Sequence, residues 1–161
     1  AFKKMAAAIQ ANPDFNIYYG IVRTLQPQND KLEHMLVRHS HLFITGFSLM
    51  HQGVFTSRKL MLDSGLFDES FRITADYDFF LRVFLNNTGL FFPVDDIIAA
   101  YRQTGVSASA ALRRSTNTEY WRVQFKNHRI TLKQFRIRLL QGNIAWCKQM
   151  IRSCFKKILG M

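Results

Sequence analysis

Four carboxylates within eleven residues are the part of this sequence best suited to chemistry. Asp68 and Glu69 form one pair, and Asp76 and Asp78 form a second. The second pair opens residues 79–85, in which a single arginine is the one polar residue, so a helix here is expected to be buried almost all round. A charged group at the mouth of a buried helix costs free energy unless it is paired or used. The carboxylates are therefore candidates for catalysis or for structural ion pairs.

Residue types alone favour the structural interpretation of the second pair. Thr74 can cap the helix, and Asp76 and Asp78 then lie in its first turn, where the helix dipole favours negative charge. Asp78 and Arg82 are four residues apart and can pair on one face. The Asp-x-Asp pattern also suggests a metal site. A helix start, however, spreads two carboxylates around the axis, whereas a metal clamp on a nucleotide phosphate usually follows a strand.

Four segments around these carboxylates, taken together, favour a catalytic interpretation. They are His51-Gln52-Gly53-Val54-Phe55, Gly65-Leu66-Phe67-Asp68-Glu69, Ala75-Asp76-Tyr77-Asp78 with Leu81-Arg82, and Thr104-Gly105-Val106-Ser107. In this order they resemble the C-terminal half of family 2 glycosyltransferases, the inverting sugar transferases of the GT-A fold. The resemblance covers about residues 1–128. The family often carries Glu-Asp where this chain has Ala75-Asp76, so only Asp76 matches as the base.

The resemblance implies a reaction and a role for each matching residue. A sugar would pass from a nucleotide diphosphate donor to a hydroxyl with inversion, and Asp76 would be the general base. His51, Gln52 and Asp78 would shape the acceptor site, and Arg82 would hold Asp78. The divalent metal expected for the full-length enzyme (Mg or Mn) would be bound mostly by residues upstream of Ala1, as would the donor. The implied acceptor is lipid-linked or a growing polysaccharide, as in bacterial envelope synthesis.

The expected fold class is α/β: the C-terminal half of a Rossmann-like GT-A domain followed by a basic helical tail. We assign residues 1–128 to the partial catalytic domain and 129–161 to the tail. The chain begins with Ala in what resembles the middle of a helix, so we expect a fragment that is inactive without its donor half. No apolar run approaches the roughly 20 residues that span a bilayer.

Charge is concentrated in the last fifty residues. Residues 1–111 hold ten Lys and Arg against ten acids, whereas residues 112–161 hold twelve against Glu119 alone. Residues 144–159 have an apolar face with basic residues on the others, the pattern of a helix lying in a membrane surface. A helix packed on the domain with a solvated basic face fits equally well. We expect a cytoplasmic protein peripheral to the cell membrane, with an anionic lipid partner and no nucleic acid, because the tail aromatics do not alternate as a stacking platform.

Local patterns predict the remaining elements. Helices are predicted at 2–11, from Ser57 to 63, at 76–87, 108–127, 132–140 and 144–159, with Gly142-Asn143 ending the fifth. Strands are predicted at 15–25, 43–50, 53–56, 90–94 and 97–102, with Asp95-Asp96 as a turn. Cys147 and Cys154 lie two helical turns apart, about 10 Å, too far for a disulfide.

Two further hypotheses stay open from the sequence. His39-Ser40-His41 has ligand-like spacing on a strand, but no third ligand joins it, so a solvated loop is favoured over a zinc site. The alternative to a transferase is a basic module that binds membrane or nucleic acid without catalysis, its acidic pair being purely structural. An Asp-x-Asp after a strand in the upstream sequence would favour the transferase.

Overall fold

The chain forms a mixed α/β structure. A computed structural model describes the backbone of residues 1–25, 32–35, 49–102 and 112–158, and the side chains of 1–23, 49–101 and 112–148. The helices described are α1 (Phe2–Ala11), α2 (Arg58–Asp63), α3 (Ala75–Asn86), α4 (Arg113–Lys126) and α5 (Leu132–Ile158). The strands described are β1 (Ile17–Leu25), β2 (Leu32–Met35), β3 (Val54–Thr56) and β4 (Phe91–Arg102). The predictions for 39–41, 43–48 and 104–107 lie outside the described residues.

β1 is the central strand of the described sheet. β4 runs parallel to it from Ile17 to Leu25 and takes one edge along its whole length. The other edge is shared, because β3 pairs antiparallel with residues 17–19 and β2 pairs antiparallel with residues 22–25. The predicted strands at 15–25 and 53–56 are thus confirmed within one or two residues.

The pairing of β1 with β4 corrects one prediction. Asp95-Asp96 is not a turn between two strands, since β4 continues through it. Gly20 pairs with Val94 and Ile21 with Ile97, so the two aspartates form a bulge in β4. Short acidic residues suit a bulge as well as a turn, because both leave a backbone group free of the ladder.

The sheet separates two apolar clusters. Ile17 and Tyr19 point to one face and Tyr18 to the other, as alternation along a strand requires. On the first face α3 packs with Phe79 and Leu81 fully buried. On the second face α1 covers Tyr18 with Met5. α3 is buried from Tyr77 to Leu81 and at Val83, which confirms the predicted enclosure for the first part of residues 79–85, whereas Leu85 near the end of the helix is exposed.

The tail differs from the predicted pair of helices, because α5 runs unbroken from Leu132 to Ile158. Thr131 and Gln134 form a reciprocal capping box at its start. Gly142 does not end the helix. It lies against α4, where an added Cβ would be 2.8 Å from the Trp121 ring. The glycine therefore permits close packing, and Asn143 accepts a hydrogen bond from Arg114 at 2.6 Å.

α5 and α4 form a helical hairpin that crosses the expected boundary at residue 128. Phe125 and Phe135 stack with ring centroids 5.1 Å apart, and Arg138 donates to Gln124 at 2.5 Å. The predicted helix at 108–127 is confirmed as α4 from Arg113, its first residues lying outside the described part of the chain. None of the described helices is long and apolar enough to cross a membrane.

Candidate active site

His51 and Asp76 meet at one place on the surface although 25 residues separate them. Nδ1 of His51 lies 2.8 Å from Oδ2 of Asp76. The His51 side chain is 59% exposed and that of Asp76 is 27% exposed, so solvent or a ligand can reach both. A carboxylate accepts at this contact, so Nδ1 carries the proton of the hydrogen bond.

The position of Asp76 follows from the start of α3. Its second carboxylate oxygen, Oδ1, accepts the backbone N–H of Tyr77 at 2.8 Å. The carboxylate therefore stays beside the first turn, where the helix dipole favours its charge. One oxygen is fixed by the helix and the other faces His51, which orients the group toward solvent.

The position of His51 follows from a tight turn against β1. Residues His51–Gly53 form a single 3₁₀ turn, closed by the hydrogen bond from the Gly53 N–H to the Met50 carbonyl at 2.9 Å. Gly53 is buried, and a Cβ there would lie 2.6 Å from Cγ2 of Val22. The absence of a side chain at Gly53 thus lets the turn approach β1 and present His51 to Asp76. Gln52 follows on the same turn and is half-buried.

The pair alters the acid–base chemistry of its neighbourhood. The hydrogen bond and the negative charge of Asp76 raise the pKa of His51 against an opposing effect of burial. Tyr120 on α4 also senses this carboxylate: burial, followed by the charge of Asp76 and the Tyr77 phenol, raises the pKa of Tyr120 to about 12. The Tyr120 phenol therefore stays neutral beside the pair.

We expect the raised pKa of His51 to be visible in solution. An NMR titration of the ring should give a pKa above its ordinary value of about 6.5, and Asp76→Asn should lower it. While Asp76 is ionised, the stability that the raised pKa of His51 contributes is fully present below about pH 6.5 and is lost as pH rises through the folded-state pKa. Asp63→Asn is the control, because the Asp63 carboxylate pairs with Lys59. An unchanged His51 pKa in Asp76→Asn would contradict the contact.

Asp78 differs from Asp76 in being fully buried, with 0% exposure. Its carboxylate accepts from Nε of Arg82 at 2.9 Å, from Nζ of Lys126 at 3.0 Å and from Nδ2 of Asn127 at 3.0 Å. The predicted pairing of Asp78 with Arg82 is confirmed. With three donors around it and no exposed surface, Asp78 holds α4 against α3, and this geometry favours a structural role over the expected contact with an acceptor.

Arg82 fastens the loop before α3 to the same network. Its two terminal nitrogens donate to the carbonyl oxygens of Ser64 and Leu66. Gly65 and Leu66 both have positive φ, at 78° and 58°, so this loop adopts a conformation that non-glycine residues rarely hold alone. The Arg82 guanidinium stabilises this conformation by donating hydrogen bonds to carbonyl groups of the loop while it also pairs with Asp78.

Lys126 joins the first acidic pair to the second. Its Nζ lies 2.8 Å from Asp68 as well as 3.0 Å from Asp78, and it lies over the Phe71 ring. The Lys126 hydrogen bond, followed by those from Ser70, holds the pKa of Asp68 well below its usual range. Glu69 is exposed. Asp68 and Asp78 therefore share one cation, and Asp76 is the acid of the second pair that remains directed at the surface.

Glu119 is a site residue that the sequence analysis noted only as the one acid of the tail. Its side chain, buried on α4, accepts the backbone N–H groups of Arg72, Ile73 and Thr74 at 3.3, 2.8 and 3.1 Å. The Thr74 hydroxyl also donates to Glu119, at 3.3 Å, and makes no cap to α3. The prediction that the Thr74 side chain caps the helix is therefore wrong. Glu119, which lies on α4, thus provides hydrogen-bond acceptors for the backbone N–H groups of the segment that leads into α3.

Glu119→Gln should destabilise the protein by about 1–3 kcal/mol, because the amide NH2 group cannot accept the N–H that one carboxylate oxygen binds, and the negative charge shared by three N–H donors is lost. Urea denaturation of the chain measures this. Glu69→Gln, a matched change at an exposed position, should stay within about 0.5 kcal/mol of wild type. Equal stability of the two variants would show that Glu119 does not hold the entry to α3.

The described residues do not assemble a metal site. No group of three or more His, Cys, Asp or Glu side chains among them lies close enough to hold an ion. The metal expected from the resemblance therefore has no ligand set in the part of the chain described here. The Asp-x-Asp of 76–78 is divided between a surface pair and a buried network, as its place at a helix start suggested.

Comparison with known proteins returned no match to any protein-family model, curated protein or solved structure.

Proposed function

We propose that this chain is the acceptor side of an inverting glycosyltransferase of the GT-A fold, with Asp76 as its general base. The observation that carries the proposal is the contact of Asp76 with His51 at 2.8 Å, on the surface and at the start of a buried helix. Two of the segments that carry the family resemblance meet there. A third, the Gly65–Glu69 loop, is joined to α3 through Arg82 and Lys126.

The chemistry assigned to Asp76 needs a carboxylate that is ionised, accessible and fixed in direction. Asp76 is 27% exposed and has one oxygen fixed by the Tyr77 N–H. The acceptor hydroxyl attacks the anomeric carbon, its proton passes to Asp76, and the bond from that carbon to the diphosphate breaks. Attack from the face opposite the leaving group inverts the anomeric centre.

His51 supports this step in the proposal by donating from Nδ1 to Asp76 and directing its exposed ring toward an acceptor. A second assignment uses the same geometry: Nε2 of His51 takes the proton and Asp76 holds the ring in the correct tautomer. Gln52 lies beside His51 on the same turn and is proposed to contact the acceptor. Whether Asp76 or His51 takes the proton, the reaction requires Asp76. The imidazole of His51 is essential only if Nε2 takes the proton.

The acceptor in this proposal is a sugar hydroxyl on a lipid-linked or growing polysaccharide, and the donor is a nucleotide diphosphate sugar. The donor site belongs, in the proposal, to sequence upstream of Ala1. The test is transfer by the native gene product from a panel of nucleotide sugars, followed as nucleotide diphosphate release that depends on acceptor. Release without any dependence on acceptor, or no release with any donor, would contradict the proposed function.

A further inference from the structure

α5 has two apolar faces on opposite sides of its axis. One face carries Phe135, Gly142 and Trp146, which meet Phe125, Trp121 and Arg114 of α4. The other carries Ile137, Leu140, Ile144 and Cys147. At about 100° per residue, the centres of the two faces lie about 160° apart. The second face, here called the outer stripe, therefore points away from the helix on which α5 packs.

The outer stripe is exposed along its described length. Ile137, Leu140 and Ile144 are 42%, 62% and 57% exposed, and Cys147 is also exposed. Because α5 is unbroken at Gly142, the stripe is continuous across this glycine. A helix broken at Gly142 would have separated Ile137 and Leu140 from Ile144 and Cys147, whereas the continuous helix keeps all four on one face.

The charged residues of α5 are all basic. α5 contains seven Lys and Arg and no Asp or Glu. Exposed Arg136 lies on one flank of the stripe and exposed Lys148 on the other, with Lys133 at its N-terminal end. α4, the helix behind it, adds exposed Arg113 and Arg122. An apolar stripe bordered by cations along a helix is complementary to acyl chains beneath anionic headgroups.

We propose that the outer stripe of α5 binds an anionic lipid surface while the opposite face of α5 stays packed on α4. The helix lies along the membrane, with Ile137, Leu140 and Ile144 in the acyl region and Arg136 and Lys148 at the headgroups. Asp78 of α3 and the backbone of residues 72–74 stay attached to α4 through Lys126 and Glu119. In this proposal one face of α5 packs on the domain and the opposite face lies on the membrane, so the two alternatives considered for the tail apply to different faces of one helix.

Vesicle co-sedimentation of the chain 1–161 tests the stripe. Vesicles of phosphatidylcholine alone are compared with equal parts phosphatidylcholine and phosphatidylglycerol, at low and high salt. We expect binding to the anionic vesicles, weakened by salt. Leu140→Gln with Ile144→Gln should weaken that binding by about tenfold or more, since two exposed aliphatic side chains no longer enter the bilayer. The readout needs no transfer activity, so it is independent of the proposed function.

Two further variants make the test specific. Leu62→Gln with Leu85→Gln removes two leucines of similar exposure, 50% and 42%, that lie off the stripe, and should bind like wild type. Arg136→Gln with Lys148→Gln keeps the stripe but should weaken binding to anionic vesicles by about fivefold for each charge. Circular dichroism should show wild-type helix content in all three, because every substituted side chain is exposed.

Several outcomes would overturn the proposal. Equal binding of wild type to neutral and anionic vesicles would exclude recognition of anionic lipid, and equal loss in the off-stripe control would remove the stripe's special role. A stripe variant that binds vesicles normally but converts a dimer to a monomer would assign the face to a second copy of the chain. Tighter binding to single-stranded DNA than to anionic vesicles would assign it to nucleic acid.

Discussion

Asp76→Asn is expected to lower the rate of sugar transfer by about 10²–10⁴-fold in the native gene product, because the amide cannot accept the acceptor's proton. Asn keeps the shape of the side chain and can still accept the Tyr77 N–H that Asp76 binds at 2.8 Å. Binding of the nucleotide sugar and the melting temperature should therefore change little. The transfer rate and the donor affinity are measured at a temperature well below melting, and the melting temperature is measured separately by thermal denaturation.

His51→Gln is the companion variant that separates the two assignments of the base. If Asp76 takes the proton, loss of the imidazole removes a supporting hydrogen bond, and the rate should fall about tenfold or less. If Nε2 of His51 takes the proton, the fall should reach about the same 10²–10⁴-fold as in Asp76→Asn. A near-normal rate in Asp76→Asn would exclude both, whatever His51→Gln does.

Asp78→Asn is expected to have the largest effect on stability, about 2–4 kcal/mol, because it removes the charge that three donors surround in a buried site. In a domain of this size, each kcal/mol of lost stability lowers the melting temperature by roughly 2–4 °C. Differential scanning calorimetry or urea denaturation measures the change. Transfer at a temperature below melting should fall much less than in Asp76→Asn, since Asp78 does not face the surface.

The chain offers a matched control for Asp78. Lys59 and Asp63 form an ion pair with the same i, i+4 spacing as Asp78 and Arg82, but their side chains are 84% and 58% exposed, against 22% for Arg82 and 0% for Asp78. Asp63→Asn should therefore cost no more than about 1 kcal/mol. Similar losses in Asp63→Asn and Asp78→Asn would mean that burial and the contacts of Lys126 and Asn127 add nothing to the pair.

Local pattern was sufficient to predict α3 and its internal ion pair. The apolar run of residues 79–85 and the i, i+4 spacing of Asp78 and Arg82 are properties of neighbouring residues, so no tertiary information was needed. The same holds for Ser57, which accepts the Leu60 N–H as the predicted helix cap. The bounds of α2 and α3, which follow from the types and spacing of neighbouring residues, were therefore predicted within a few residues.

Contacts between distant segments could not be predicted in this way. Glu119 stood out in the sequence as a lone acid in a basic tail, but nothing local connects it to the N–H groups of residues 72–74. Lys126 likewise gave no signal of its place between Asp68 and Asp78. The resemblance placed His51 and Asp76 near one pocket, although it did not predict their direct hydrogen bond.

The predictions for Gly142 and for Asp95-Asp96 were wrong for a similar reason, because each of these residue types is common in two different kinds of local structure. Gly142 looked like a helix end, but the helix continues and the glycine admits the Trp121 ring. Asp95-Asp96 looked like a turn, but the pair forms a bulge within β4. In each case the residue favours a local departure from regular structure, and the partner element determines which departure occurs.

The anomeric configuration of the product tests the central claim most directly. The native gene product is supplied with a nucleotide sugar of known anomeric configuration and its acceptor, and proton NMR assigns the new glycosidic bond. Direct attack by a hydroxyl that Asp76 deprotonates predicts inversion, with no product in the same time from Asp76→Asn. A product that retains the donor's configuration, or an inverted product formed equally fast by Asp76→Asn, would contradict the account.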